Sequence, residues 1–214
     1  MLIPETPNTY EPAPAGTQKA ILNRIVDMGT QETEFAGVSS TKRQVVFGFE
    51  IEGLKTANGN PVAISKTMTF SLNSKATLNQ YAEALLNRAI TDTDRYGKER
   101  LDAAVLLGKG CLLSITHAPK PDGGVSARVT GIIALPSGTK VGKPVNAPEI
   151  LSLTEGAFDP AVYDKQPSWI KDKVSRSPEY RELLKPKTDP LIGKVKAKKS
   201  TAEVIDDDLP DDWK

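Results

Sequence analysis

The sequence predicts an all-β core with small helical additions, followed by a C-terminal tail that has no fold of its own. Three observations predict it. Apolar residues recur at period two in five segments between Thr17 and Leu135. That period switches to helical spacing once, between the third and fourth of those segments. The end of the chain, Ala202-Glu203-Val204-Ile205-Asp206-Asp207-Asp208-Leu209-Pro210-Asp211-Asp212-Trp213-Lys214, crowds five aspartates around one proline. It buries too little apolar surface to offset the entropy of ordering it.

Met1 to Gly16 carries Pro4, Pro7, Pro12 and Pro14 and reads as an extended arm. Thr17 to Met28 suits a long strand with Ala20, Leu22, Val26 and Met28 on one face. Gly29 to Thr41 is polar, with Gly37, Ser39 and Ser40, and is expected to be a loop. Arg43 to Glu52 is the clearest strand, because Val45, Phe47, Phe49 and Ile51 share a face. Leu54 to Pro61 contains Asn58-Gly59, a strong hairpin signal. Ile64 to Leu72 answers it with Ile64, Met68, Phe70 and Leu72 on one side. Ser65, Thr67, Thr69 and Ser71 take the other.

Helical spacing follows at Leu78, Tyr81, Ala82, Leu85 and Leu86, with Asn73 or Ser74 as the expected cap. Lys98 to Leu107 reads as a second helical piece ending at Gly108. Cys111 to His117 is a short buried strand, Ala118 to Gly124 a turn. Val125 to Leu135 is the last strand, with Val125, Ala127, Val129 and Ile133 alternating. Three strands, a helix and two strands is the order of a five-stranded OB-fold barrel, which is expected over residues 17–136.

Residues 137–199 read as a linker with short helices and a basic run. Ser137 to Glu149 is rich in Gly, Pro and Lys. Pro167 to Val174 and Ser177 to Leu184 each place a proline near the first turn of a short helix. Neither is stable alone, so Trp169, Ile170, Val174, Tyr180 and Leu184 are expected to dock on the barrel or on a partner. Lys185, Lys187, Lys194, Lys196, Lys198 and Lys199 precede the acidic tail of residues 200–214.

The whole chain bounds its function class. It has 214 residues, 38% of them hydrophobic, and a net charge of +1. A lone cysteine, Cys111, excludes an internal disulfide framework and fits a reducing compartment. No apolar run is long enough to span a membrane, and Met1 to Thr6 lacks the pattern of a secretion signal. The expected location is the cytoplasm. His117 is the only histidine, which argues against a multi-histidine metal site. Cys111 and His117 would lie about 20 Å apart along one strand at ~3.3 Å per residue, too far for a nucleophilic pair. No phosphate-binding glycine motif occurs, and Asp92, Asp94 and Asp102 read as solvated surface. The expectation is a non-enzymatic protein with no cofactor and no metal.

Binding is better supported. An OB barrel offers its second and third strands as a groove, with the loops joining strands 1–2 and 4–5 as jaws. Lys42, Arg43, Lys66, Lys120 and Arg128 fall on those parts and are expected to contact phosphates. Phe47, Phe49 or Tyr81 are the candidates for stacking on bases, although the two phenylalanines equally suit a core. Lys66 shares a side with Ile64 and Met68, so it either twists to the rim or serves the groove.

These residues also carry a resemblance. Asp206-Asp207-Asp208-Leu209-Pro210 resembles the acidic Asp-Asp-Asp-Ile-Pro-Phe terminus of bacterial single-stranded DNA-binding proteins. The body resembles a family of bacteriophage single-stranded DNA-binding proteins with one OB domain. The matching segments are Glu11 to Thr17, Ile25-Val26-Asp27-Met28-Gly29-Thr30-Gln31, Lys66-Thr67-Met68-Thr69-Phe70-Ser71-Leu72, Leu106 to His117, and Pro167 to Tyr180. The resemblance implies sequence-non-specific binding of single-stranded DNA during phage DNA replication or recombination, in the host cytoplasm. It implies a tail (Asp206, Asp207, Asp208, Leu209, Pro210 and Trp213) that recruits replication or recombination proteins. The chain departs from the pattern by ending Asp211-Asp212-Trp213-Lys214, without a terminal aromatic. Lys75 to Arg88 also lacks tryptophan, so no stacking residue carries over there.

Three further expectations stand beside this one. The tail aspartates compete with DNA for the positive groove. A single barrel has a small footprint, so tight binding calls for several barrels in a homo-oligomer or for cooperative contacts. The alternative function is an OB-like protein-interaction adaptor that does not bind nucleic acid and uses Trp169, Tyr180 and Trp213 to hold assemblies together.

Overall fold

The computed structural model describes residues 12–185 apart from positions 36, 99 and 122. The start of the arm, the acidic tail and all of the basic run after Lys185 lie outside the described residues. The compact unit of the chain ends at Leu183.

Among the described residues the elements run β1 (Gly16–Phe35), β2 (Val38–Lys55), β3 (Pro61–Thr69), α1 (Thr77–Leu86) and α2 (Asp92–Tyr96). A 3-10 turn (Ala103–Leu106), β4 (Gly110–Pro119), β5 (Val125–Ala134) and β6 (Glu149–Leu151) follow. The last are α3 (Pro160–Asp164), α4 (Ser168–Arg176) and α5 (Pro178–Leu183). The strand order is β3-β2-β1-β4-β5, antiparallel throughout, with β6 added parallel beside β1. β1 is long enough to have two neighbours on one edge. Gly16 to Ile21 pairs with β4, and Arg24 to Val26 pairs with β6.

The core is therefore mostly β, as expected. The two ends of the strand order, β3 and β5, share no ladder among the described residues. A side chain links them instead: Lys66 Nζ donates to the Val129 carbonyl at 2.8 Å. Lys66 is half-buried between buried Ile64 and Met68. Its stem lies on the apolar side while its ammonium reaches the seam.

Two bulges in β1 change which face its residues occupy. The register against β2 slips between Leu22 and Arg24 and again between Asp27 and Gly29. Each slip adds one residue to one strand and inverts the alternation beyond it. Ala20, Leu22 and Ile25 consequently join Val45, Phe47, Phe49 and Ile51 in the main core. Val26 and Met28, expected on the same face as Leu22, lie in a second cluster on the opposite face with Val46. β5 repeats the effect. A slip around Ser114/Ile115 brings Ile132 against the core and leaves Ile133 55% exposed, where strict alternation expected it buried.

Other expectations are corrected by the backbone. The polar stretch Gly29 to Thr41 is not a loop. Gly29 to Phe35 pairs residue by residue with Val38 to Gln44, extending the β1–β2 hairpin. Cross-strand hydrogen bonds, including Thr33 Oγ1 to the Ser40 carbonyl at 3.0 Å, compensate for its lack of apolar side chains. Of the helical piece expected at Lys98 to Leu107, only the short 3-10 turn Ala103–Leu106 forms among the described residues. A separate α2 precedes it, capped by Thr91 in a capping box with Asp94. Neither Asn73 nor Ser74 caps α1; its N-cap is Ala76, which has no side-chain bond.

The C-terminal helices dock on the second face of the sheet, as their apolar residues require. Ile170 and Val174 of α4 are fully buried against Val26, Met28 and Val46. α3, absent from the sequence expectation, adds Val162 and Tyr163 to the same cluster. Gly29 is required at the contact: a Cβ there would lie 2.5 Å from Ser177 Cβ. Thr30, next to it, donates its amide (2.8 Å) and hydroxyl (2.6 Å) to the Glu179 carboxylate of α5. Burial pushes Glu179 up, but these two hydrogen bonds and the Arg43 charge outweigh it and hold the carboxyl below its ordinary value.

Candidate nucleic-acid interface

The outer face of β1–β2–β3 is built in rows. Ile21, Glu50 and Ala63 form one row; Arg24, Gly48 and Ser65 the next; Val26, Val46 and Thr67 the third; Gly29, Gln44 and Thr69 the fourth. Returning chain covers the rows at the β1–β2 end. Glu50, almost fully buried, accepts hydrogen bonds from four donors: Asn23 Nδ2 at 2.8 Å, Val145 N at 2.6 Å, Asn146 N at 3.0 Å and Asn146 Nδ2 at 2.7 Å. Glu52 accepts from Gly142 N at 2.6 Å and pairs with Lys19 at 3.0 Å. These bonds hold its carboxyl below the ordinary range and strap the 142–146 segment over the first row. α4 covers the third row through Ile170 and Val174.

One row is left open between these covers. A cleft of about 310 Å³ there is lined by Arg24, Gly48, Ser65, Ala63, Pro167 and Trp169, among others. Gly48 leaves its floor flat, and a Cβ at that position would come within 3.0 Å of Arg24 Cβ. Trp169, near the start of α4, lines the cleft and is 43% exposed. Arg24 Nε is buried and has no hydrogen-bond partner. It stands 3.9 Å from Glu149 Oε2, close enough for charge attraction but too far for a hydrogen bond. Beyond the cleft, β3 presents Ser65, Thr67 and Thr69, all exposed.

The far end of β2 is arranged differently. The Arg43 guanidinium spends Nε and Nη2 on the buried Asp27 carboxylate in a forked pair. It also lies over the Phe70 ring, 5.4 Å from the centroid. Phe70 remains 41% exposed. It separates two clefts of about 210 and 250 Å³, the second bordered by Arg95 and Arg100. Arg95 is committed to Leu72 O, Asn79 Oδ1 and Asp92 Oδ1.

The residues expected to bind DNA separate into three groups. Lys66 and Arg128 both belong to the β3/β5 seam, where Lys66 grips the carbonyl of Val129, the residue after Arg128. Arg128 and Lys120 are both exposed, with Lys120 at the β4–β5 turn. Lys42 and Arg43 lie four to five residues along β2 from Phe47, the residue paired with Lys66. That is ~13–17 Å at ~3.3 Å per residue. The structure does not draw all five cations to one place.

The stacking candidates are corrected. Phe47 and Phe49 are almost completely buried, ring to ring at 6.3 Å, and Phe49 meets Tyr81 at the same distance. Their faces are covered by the core and offer no base a surface. Burial also pushes the Tyr81 hydroxyl up to about 12, and the Cys111 thiol, enclosed in the same core, to about 12. His117 Nε2 bonds the Ala13 carbonyl at 2.8 Å, tying the arm to β4. Asp206, Asp207, Asp208, Leu209, Pro210 and Trp213 lie outside the described residues.

Sequence reasoning missed Arg24 as a candidate and treated Trp169 only as a docking residue. One signal was available: Gly48 interrupts the strongest strand pattern in the chain, and an isolated strand glycine often marks a close approach of backbone or ligand.

No family model matches this chain, and no curated protein is significantly similar to it. The resemblance to phage proteins therefore rests on the quoted motifs. No helix among the described residues is long and apolar enough to cross a membrane.

Proposed function

We propose that this chain is a sequence-non-specific single-stranded DNA-binding protein built on an OB-type barrel. In this reading it protects unpaired DNA during phage replication or recombination in the host cytoplasm. The observation that carries the proposal is the exposed row Ser65, Thr67 and Thr69 on β3, bordered by Lys66 and Arg128 at the β3/β5 seam. Hydroxyls and cations of this kind bind phosphates without reading bases. In this reading the β3/β5 edge, bridged by the Lys66–Val129 hydrogen bond and by no ladder among the described residues, corresponds to the closing edge of an OB barrel. The protein acts by binding, with no catalytic step, and the acidic tail recruits replication or recombination partners. Cooperative or oligomeric contacts extend its footprint along the strand.

Fluorescence anisotropy of labelled oligo-dT with the full chain tests this at two salt concentrations. Binding at low micromolar protein is expected. Its log affinity should fall with log salt by ~0.7 per neutralised phosphate. Absence of binding would leave the adaptor function as the better account, and binding insensitive to salt would remove the phosphate contacts.

A further inference from the structure

The open row of the outer face sets the exposed ring of Trp169 beside Arg24, whose side chain pairs with Glu149 at 3.9 Å. Covers on both sides make it a slot. The 142–146 segment is held by three hydrogen bonds to Glu50 on one side, and α4 is held by Ile170 and Val174 on the other. Its volume of about 310 Å³ is at the lower limit of small-ligand sites. It suits one planar ring and excludes a folded peptide or a stack of several bases.

We infer that this slot takes a single unpaired base of the bound strand, stacked on Trp169 above Gly48, with the adjoining phosphate at Arg24. The inference rests on the single-stranded DNA-binding reading and assigns it a subsite. Four features specify the occupant. The floor has no side chain of its own at Gly48, and the Arg24 stem lies beside it, so a flat ring in the slot meets Gly48 and the Arg24 stem. Trp169 is exposed although its neighbour Ile170 is fully buried, and an indole face is a sequence-tolerant stacking surface. Arg24 Nε has no hydrogen-bond partner, and the next acceptor is 3.9 Å away. Arg24 is held by one long ion pair with Glu149, and a phosphate at the slot would compete with that pair for its guanidinium. Finally, the slot opens at Ser65 onto the exposed hydroxyls Thr67 and Thr69, where the sugar-phosphate chain can continue.

The chain contains two tryptophans, Trp169 and Trp213, so Trp213→Phe makes Trp169 the sole indole reporter in the full-length protein. Oligo-dT is expected to quench Trp169 emission at the same concentration at which anisotropy reports binding. Trp169→Ala should weaken oligo-dT binding at least about five-fold, the lower end of what one stacked base contributes. Trp169→Phe should recover most of that loss. Gly48→Ala, whose Cβ would stand 3.0 Å from Arg24 Cβ, should weaken binding comparably when measured well below its thermal unfolding midpoint. If anisotropy reports binding but Trp169 emission is unchanged and Trp169→Ala binds normally, the subsite is overturned and the wider function survives. If no oligonucleotide binds, both fall together. If the Asp206→Asn, Asp207→Asn, Asp208→Asn protein shifts Trp169 emission while oligo-dT leaves it unchanged, the slot belongs to the chain's own tail, and the base assignment is overturned.

Discussion

The two faces of β1–β2 are sealed by opposite means. The core face is filled by its own strands: Leu22, Ile25, Val45, Phe47, Phe49 and Ile51 pack there with α1 and β4 residues. The outer face buries Ile21, Val26, Met28 and Val46, and distant chain returns to cover the last three. One face is a continuous hydrophobic seal. The other is a set of straps fixed by a few polar bonds, with a row left open between them. A surface covered by straps can keep a slot that a packed core would fill, since interiors tolerate few voids. The two arginines repeat the contrast. Arg43 is locked in a forked pair with buried Asp27, whereas the Arg24 side chain has only a long ion pair with Glu149 and an Nε without a hydrogen bond.

The contrast can be broken at the core face first. Phe49→Ala removes a fully buried ring that meets Phe47 and Tyr81. It should cost ~3–5 kcal/mol in denaturant unfolding, and a loss below ~1 kcal/mol would mean that this face is not the principal core. On the outer face, Glu50→Ala strands the amides of Val145 and Asn146. A smaller cost of ~1–3 kcal/mol is expected, together with faster hydrogen exchange confined to residues 142–146. Global loss of protection would show that the strap and core are one unit.

The arginines sharpen the comparison. Arg24→Gln should reduce the salt slope of oligo-dT binding by about one phosphate contact, with little change in stability. Arg43→Gln should leave the slope unchanged and lower stability by orphaning Asp27. The reverse result would exchange their roles. The smallest effect concerns α5. Because Glu179 is held below its ordinary value, its contribution to docking α5 is present above the unfolded-state value of ~4.3. It is lost as pH falls through the lowered native value. Protection of the Thr30 amide should therefore decrease below about pH 4. Protection that is constant from pH 7 to 3 would mean that this bond does not hold the helix.

Much of the fold was legible because it depends on short-range periodicity. Val45, Phe47, Phe49 and Ile51 could be placed on one face from spacing alone, and so could the helical residues Leu78, Tyr81 and Leu85. Pro167 and Pro178 marked the starts of α4 and α5. The alternation failed at Asn23, Met28 and Thr130, where single-residue bulges invert the faces. A bulge is decided by pairing with another strand, so no local pattern announces it. The polar Gly29–Thr41 stretch failed for a related reason: its pairing partners, not its hydrophobicity, make it a strand.

The candidate site was less legible than the fold. Lys66 was identifiable as a charge on an apolar face, but its carbonyl partner on β5 was not. Phe47, Phe49 and Tyr81 have the right chemistry for stacking and the wrong burial. Trp169 and Arg24 are 145 residues apart in the sequence and come together only when α4 folds back on β1 and β2. By itself, the order of residues determined the strand-rich core, the helix after β3 and the helical character of the C-terminal segment, because each follows from neighbours within a few positions. Tertiary structure alone decided which face each β1 residue occupies, which arginine is committed, and where the outer surface stays open. Those outcomes depend on hydrogen-bond partners and covering segments that reach the same point from far along the chain.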